Sequence, residues 1–319
     1  MEPLLTIRDL TVGPSRSRAA LLDRVSLDIA AGETVGLVGE SGSGKSLTCR
    51  AILRLLPPGL AVQSGTITYR GTDLLPLPAR EMESLRGKEI SMILQNPMTS
   101  LNPVHRVGAQ IVEPIREHLP LTSTEARARA LKALELVHMP AAREQYYAYP
   151  HQLSGGMRQR VSGAIAMSCD PKLLIADEPT TALDATIQAE YLMLLREVQQ
   201  RTGVAILIVT HDLGVVAELC DRVAVMYAGR VVETGTAMEI FDRPQHPYTK
   251  ALMRILHSGA RREGRADAIP GTPPTAAERL PGCAFANRCN VALSRCAADP
   301  PPETELGATH RVRCWHHVP

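Results

Sequence analysis

A chain of 319 residues exceeds one average domain, which predicts a large core domain plus something smaller. Its 35 basic and 33 acidic residues leave a net charge of +2, which excludes a global electrostatic pull toward nucleic acid, so no nucleic-acid partner is expected. Hydrophobic residues make up 45% of the chain but aromatics only 3%, so the core is to be built from Val, Ile, Leu, Ala and Met.

In chain order, the opening MEPLLTIRDL sets acids and an arginine where a secretory signal needs an apolar stretch, so no targeting segment is expected and the chain is assigned to the cytoplasm. The run TVGLVG at 34–39 reads as a buried strand and leads directly into GESGSGKS, Gly39–Ser46. This is the G-x-x-x-x-G-K-[ST] pattern in the strand-to-helix setting that gives it meaning. Through Gly39, Glu40, Ser41, Gly42, Ser43 and Gly44 the backbone N–H groups can curl around phosphate oxygens, and a helix starting near Lys45 turns its positive end to the same charge. Lys45 is expected on the β- and γ-phosphates of ATP, with the Ser46 hydroxyl on Mg²⁺. A glycine-rich surface turn with an incidental lysine is the plain alternative, and the preceding strand argues against it.

Residues 96–165 form a long stretch with helical segments such as STEARARALKALELVHM, read as an inserted helical subdomain. At 172–178, KLLIADE reads as a second buried strand that delivers two adjacent carboxylates. Asp177 would hold Mg²⁺ through water while Glu178 polarises the attacking water as general base; taken alone, the pair could equally be a solvated turn. VAILIVTH at 204–211 is a third strand, and such near-continuous Val/Ile/Leu runs suit a parallel sheet covered by helices on both faces. The longest strongly apolar run, Val204 to Val209, falls far short of the roughly 18 residues needed to span a bilayer, so membrane contact must come through partners. No internal repeat appears, and a single nucleotide-binding unit is expected.

Beyond about residue 256 the composition shifts to HSGARREGRADAIPGTPPTAAERLPG, rich in Gly, Pro and Ala, which reads as a linker. The remainder carries Cys283, Cys289, Cys296 and Cys314, separated by five, six and seventeen residues. Four clustered thiols in a reducing compartment argue against disulfides. Structural zinc sites favour two tight knuckles that are missing here, whereas iron–sulfur clusters accept looser Cys₄ spacings. Iron–sulfur, zinc and unligated thiols all stay open on spacing. His310, His316 and His317 lie near enough to substitute as ligands, although tail histidines are mostly solvated. Cys49, Cys169 and Cys220 stand singly in apolar contexts and read as core residues.

Between the glycine-rich loop and KLLIADE lies LSGGMRQR at 153–160, and with it the sequence resembles the ATP-binding-cassette family. The resemblance covers about residues 4–256 and implies an α/β fold: a P-loop NTPase with a RecA-like core, a β-subdomain and an inserted α-helical subdomain, followed here by a small Cys-rich C-terminal extension. The implied domains are an ATPase domain at 1–256 (helical subdomain about 96–165), a linker at 257–282 and the extension at 283–319. By the same resemblance Leu153, Ser154, Gly155 and Gly156 form a signature that serves the ATP held by a second cassette, so that two cassettes sandwich two nucleotides. Gln95, in MILQNP, resembles the loop glutamine that touches Mg²⁺ and relays nucleotide state to membrane subunits. Asp184, in TTALDA, resembles the dimer-contacting aspartate, and His211 the switch histidine that contacts the γ-phosphate.

QNPMTSLNPV (95–104), LSGGMRQR with Met157, and RPQHPYTKAL (243–252) together look like the branch that energises peptide and nickel importers, and more narrowly like the first of its two non-identical ATPase subunits. That implies a heterodimer with a sister ATPase, docked at the cytoplasmic face of the membrane on two permeases fed by an extracytoplasmic solute-binding protein. GCAFANRCNVALSRC with HRVRC resembles the extension of the peptide-importer ATPases, some of which hold a [4Fe–4S] cluster; zinc is the alternative metal. The family usually places an adenine-stacking aromatic shortly after the first strand, where this chain has LTVGPSRSRAA with Pro14. Two rival readings are a soluble cassette ATPase of DNA repair or translation and a metal-binding regulator that only senses ATP. The lack of a second cassette or long coiled coil argues against the first, and Glu178 against the second.

Overall fold

The computed structural model of the protein describes residues 2–17, 19–94, 100–181, 183–259, 269–275, 278 and 281–318. Its first third runs β1 (Leu5–Pro14), β2 (Leu22–Ile29), β3 (Thr34–Val38), α1 (Lys45–Ile52), β4 (Leu60–Tyr69), β5 (Thr72–Asp73), α2 (Ala79–Leu85) and β6 (Ile90–Ile93). Among the described residues then come the helices α3 (Val107–His118), α4 (Ser123–Leu136), α5 (Ala142–Gln145) and α6 (Gly155–Met167), followed by β7 (Leu173–Asp177), α7 (Ala185–Thr202) and β8 (Ala205–Thr210). The chain continues through α8 (Leu213–Leu219), β9 (Arg222–Tyr227), β10 (Arg230–Thr236), α9 (Ala237–Asp242) and α10 (Pro247–Gly259) to α11 (Arg295–Ala298), β11 (Thr304–Glu305) and β12 (Arg311–Val312). The three runs read as buried strands become β3, β7 and β8, and every residue of each is buried. Among the described residues no helix is long and apolar enough to cross a membrane.

Two compact units divide the chain: Met1–Leu4, Ile29–Thr34 and Pro76–Val209 make the first, and Leu5–Asp28, Val35–Leu75 and Thr210–Pro319 the second. In the first, β6, β7 and β8 pair in parallel, with Ile90 opposite Leu173 and Asp177 opposite Val209. Helix α4 packs on α3 and α6. Its buried Ala126, Ala130, Ala133 and Leu134 recur at three- and four-residue intervals, the spacing that turns one helical face inward. Its start is fixed by a capping box: Thr122 Oγ1 accepts from the Glu125 N–H at 3.3 Å while Glu125 Oε2 accepts from the Thr122 N–H at 2.8 Å.

The second unit holds an antiparallel sheet in the order β2-β1-β4-β5 and a further set of strands in which β3 runs parallel to β9 and β9 antiparallel to β10. The C-terminal tail continues this set, because β12 pairs with β10, Glu233 opposite Val312, and β11 pairs with β12. Docking on the body supplies order that a few short turns and two two-residue strands cannot generate alone. Arg230 donates to the Gly282 carbonyl at 2.5 Å and forms an ion pair with Asp23 at 2.6 Å.

Two expectations need correction in this unit. The core is largely aliphatic, yet Tyr227 and Tyr248 are among its largest fully buried side chains, and with Phe285 they form a cluster with ring centroids 4.6, 5.2 and 5.4 Å apart. Nor is His310 a solvated tail histidine: it is 6% exposed, with Nε2 2.8 Å from Oε1 of the fully buried Glu233. That carboxylate also accepts from the N–H groups of Gln245 at 2.7 Å and His246 at 2.8 Å, so its buried charge is well supplied with donors.

Candidate nucleotide-binding site

Gly39–Ser46 forms the turn between β3 and α1 in the second unit. Gly44, at the mouth of α1, has a φ of 104°, a left-handed conformation natural only to glycine, and a Cβ there would stand 2.6 Å from Leu22 Cδ2. At Gly39 a Cβ would stand 2.0 Å from the Met226 carbonyl oxygen, so the loop lies pressed against the end of β9. The Gly229 N–H donates to the Ser43 carbonyl at 2.8 Å and braces the loop from the same side. Lys45 is only 5% exposed, and its Nζ donates to the carbonyls of Gly39 at 2.7 Å and Glu40 at 3.0 Å. The Ser43 hydroxyl is buried without a protein partner. A buried ammonium, an orphan hydroxyl and a glycine-rich turn at a helix N-terminus suit a polyphosphate.

Glu40, in the middle of this loop, is gripped by residues the sequence did not single out. Arg288 donates to Oε2 at 2.7 Å and to Oε1 at 3.1 Å, and the Glu40 N–H donates to the Tyr248 hydroxyl at 2.9 Å. Arg288 also donates to the Tyr227 hydroxyl at 3.1 Å and to the carbonyls of Ile269 at 3.0 Å and Pro270 at 2.9 Å. Burial works against the Arg288 charge, but the hydrogen bonds to Glu40 and Tyr227 outweigh it and hold the guanidinium protonated. Burial likewise raises the Tyr248 hydroxyl above its ordinary value, so it stays neutral. The sequence signals were there in part: Tyr248 lies in RPQHPYTKAL and Arg288 among the tail cysteines. His246, from the same segment, is held by burial far below the usual imidazole range, at about 3, and as a neutral ring accepts the Tyr248 N–H on Nδ1 at 3.1 Å.

In the first unit, Asp177 closes β7 and is 4% exposed, and Glu178 follows with its N–H donating to the Val209 carbonyl at 2.8 Å. Glu178 has a φ of 45°, a conformation that a non-glycine residue adopts only under strong local constraint, and Oε2 accepts from Thr181 Oγ1 at 2.9 Å. Leu153 is buried, whereas Ser154 and Gly155 are exposed at the head of α6, where the Ser154 hydroxyl caps the helix by accepting from the Met157 N–H at 3.3 Å. Asp184 caps α7 in the same way, accepting from the Ile187 N–H at 3.0 Å. His211 follows β8 and is exposed, in the second unit. Gln95 lies outside the described residues.

The four tail cysteines are free thiols, and Cys49, Cys169 and Cys220 are buried as expected. Cys283 is tied to Cys296 through backbone, its N–H donating to the Cys296 carbonyl at 2.7 Å. Burial pushes the Cys283 thiol up to about 11, and the nearness of Cys296, Cys314 and Cys289 adds to this against a lowering contact from the Phe285 N–H. Cys289 and Cys314 are raised by burial too, each with an opposing N–H, from Val291 and His316. Cys296 Sγ accepts the Leu293 N–H at 3.4 Å. Among the described residues, however, no group of three or more His, Cys, Asp or Glu side chains is arranged to hold a metal ion. The metal centre expected on these cysteines is therefore not seen as a preformed ion site. The histidines offered as substitutes are engaged elsewhere: His316 Nε2 lies 2.7 Å from the Val291 carbonyl, His317 Nε2 3.4 Å from that of Gln245, and His310 pairs with Glu233.

Comparison with known proteins agrees with this geometry. The profile of the ABC transporter family matches residues 22–181, and that of the oligopeptide/dipeptide transporter C-terminal region matches residues 232–296. The chain is 47% identical over 316 residues to a probable peptide ABC transporter ATP-binding protein of Sinorhizobium fredii, covering 98% of this chain and 94% of that protein. It is 47% identical to the oligopeptide transport ATP-binding protein OppD of Bacillus subtilis, covering 98% and 88%, and 46% identical to the dipeptide transport ATP-binding protein DppD of the same organism, covering 99% and 95%. Among solved structures, the ADP- and phosphate-bound dimer of the ATP-binding cassette MJ0796 matches with a TM-score of 0.65 at 26% identity, over 73% of this chain and 98% of that one. The structure of cbiO1 from Clostridium perfringens matches with a TM-score of 0.69 at 27% identity, over 82% and 96%. With its glycine-rich loop, its paired carboxylates and full-length kinship to these proteins, the chain belongs to the ABC transporter family, in the branch of oligopeptide and dipeptide transport ATP-binding proteins.

Proposed function

We propose that this chain is the ATP-binding subunit of an importer of peptides, hydrolysing ATP at the cytoplasmic face of the membrane to drive uptake through two permeases fed by an extracytoplasmic binding protein. The observation that carries the reading is the glycine-rich turn wrapped around the buried Lys45, with the Ser43 hydroxyl left for a ligand. Lys45 and the loop N–H groups hold the phosphates; Ser46, Asp177 and Gln95 hold Mg²⁺. Glu178 takes the proton of the attacking water, and His211 orients the reacting end of the nucleotide. A sister ATPase completes the site: the head of α6, Ser154–Gly156, with Ser154 and Gly155 exposed, offers a helix N-terminus to the nucleotide of the opposite subunit, and Asp184 lies at their contact. In domain terms the ATPase spans 1–256, with the cysteine-bearing extension at 283–319 beyond a linker. The full complex reconstituted in liposomes is expected to hydrolyse ATP faster when its binding protein carries a peptide. Stimulation by a nickel chelate and not by peptides would move the substrate to the alternative branch, and turnover indifferent to permeases would point to a soluble ATPase.

For the four tail cysteines we propose an iron–sulfur cluster in preference to zinc. The support is their spacing, with five, six and seventeen residues between them and without the paired tight knuckles of structural zinc sites, together with their gathering in one short extension. Cys283, Cys289, Cys296 and Cys314 would hold a [4Fe–4S] cluster, whose contribution when bound is to staple the extension. Anaerobically purified protein is expected to contain about four iron and four sulfide per chain. Stoichiometric zinc without iron refutes this assignment.

A further inference from the structure

We propose that the cysteine-bearing tail sets the conformation of the glycine-rich loop, with Arg288 as a positioning residue for nucleotide binding that acts through Glu40. The proposal rests on the nucleotide-binding reading above and names what holds that site in shape. Glu40 is the one acidic residue of Gly39–Ser46, and a carboxylate beside an incoming polyphosphate repels it unless its charge is matched. Arg288 matches it in the strongest available geometry, two parallel N–H···O bonds of 2.7 and 3.1 Å to the two carboxylate oxygens. The guanidinium side chain is 5% exposed, and Glu40, 27% exposed, is the more open partner, so the pair is little screened by solvent.

The grip is doubled on the backbone. The Glu40 N–H is committed to the Tyr248 hydroxyl at 2.9 Å, so this N–H points at helix α10. Both anchors belong to one assembly: Tyr248 packs on Tyr227 and Phe285, and Arg288 stands over the rings of Tyr227 and Phe285, with its charge 5.7 and 5.9 Å from their centroids. Arg288 closes the short turn Ala286–Arg288, immediately before Cys289, and its N–H donates to the Phe285 carbonyl at 2.9 Å. Whatever shifts the cysteine-bearing turn therefore shifts Arg288, and through it the carboxylate next to the phosphates.

The test is a double-mutant cycle on the full chain, reading Mg-ATP affinity with a fluorescent ATP analogue, and KM against kcat in the assembled transporter. Arg288→Gln and Glu40→Gln are each expected to weaken binding, Arg288→Gln by about tenfold, with kcat at saturating ATP retained. The double variant is expected to be no weaker than Arg288→Gln alone, because a neutral residue 40 no longer needs its partner. Arg288→Lys recovers part of the loss and serves in the cycle if Arg288→Gln does not fold. Unchanged affinity in Arg288→Gln, a double variant showing the product of the single effects, or a fall in melting temperature with affinity intact overturns the proposal. Wild-type protein that fails to bind Mg-ATP would sink the underlying reading itself, a result distinct from wild-type binding with indifferent variants.

Discussion

Glu178→Gln is expected to lower steady-state ATP turnover of the assembled transporter by about 10²–10⁴-fold, the usual contribution of a general base, while leaving Mg-ATP binding nearly intact. The substitution is close to isosteric, and a glutamine oxygen can still accept from Thr181 Oγ1, the contact that orients Glu178 Oε2 at 2.9 Å. The strained backbone is also kept: the φ of 45° and the N–H bond to the Val209 carbonyl at 2.8 Å do not depend on the side chain's charge. That strain costs about 1–3 kcal/mol and is sustained by the pairing of β7 with β8 that ends at the preceding residue, Asp177 opposite Val209. What disappears is basicity alone. Phosphate release and retention of labelled ATP, measured on the same preparation, separate the outcomes; hydrolysis at the wild-type rate would remove Glu178 from the chemistry.

Lys45→Met has the second largest expected effect, a loss of about 100-fold in Mg-ATP affinity. The methionine keeps the buried stem, so the loop loses an ammonium without gaining a cavity. Two charge-assisted hydrogen bonds at about 1.5 kcal/mol each amount to roughly that factor. In the structure Nζ holds the Gly39 and Glu40 carbonyls at 2.7 and 3.0 Å, which locks the curve of the loop as well as its charge. Equilibrium binding of a fluorescent ATP analogue checks this, with the melting temperature of the unliganded variant as the control for folding. Affinity within about threefold of wild type would mean that the lysine is a structural brace and not a phosphate ligand.

Much of this site could be read from local patterns because its physics is local. A strand covered on both faces needs an unbroken apolar run, so β3, β7 and β8 stand out from the sequence, and the glycine-rich turn follows β3 without a gap. Capping residues are similarly visible, since Ser154 and Asp184 serve helices that begin at the next residue. What could not be read depends on chain segments far apart in number. Arg288 meets Glu40 across 248 positions, and His310 meets Glu233 across 77, contacts that exist only once the tail has packed back on the strands. RPQHPYTKAL was legible as a family marker, but that His246 and Tyr248 within it are interior side chains follows from the packing of Phe285 against them, which no periodicity announces. The cysteine count pointed to a metal, whereas among the described residues no group of three or more ligating side chains is arranged to hold an ion, a property of the folded tail.

The pairing of β12 with β10 also bears on how this protein can be handled. A version trimmed near residue 256, the natural place to cut if only the cassette were wanted, would strip β10 of its β12 partner and leave one bare strand margin open to pairing with other molecules. It would also take His310 from the interior carboxylate of Glu233 and Arg288 from Glu40. Such a fragment would keep the cassette motifs in its sequence and yet be sticky and poorly shaped at the spot where its ligand enters.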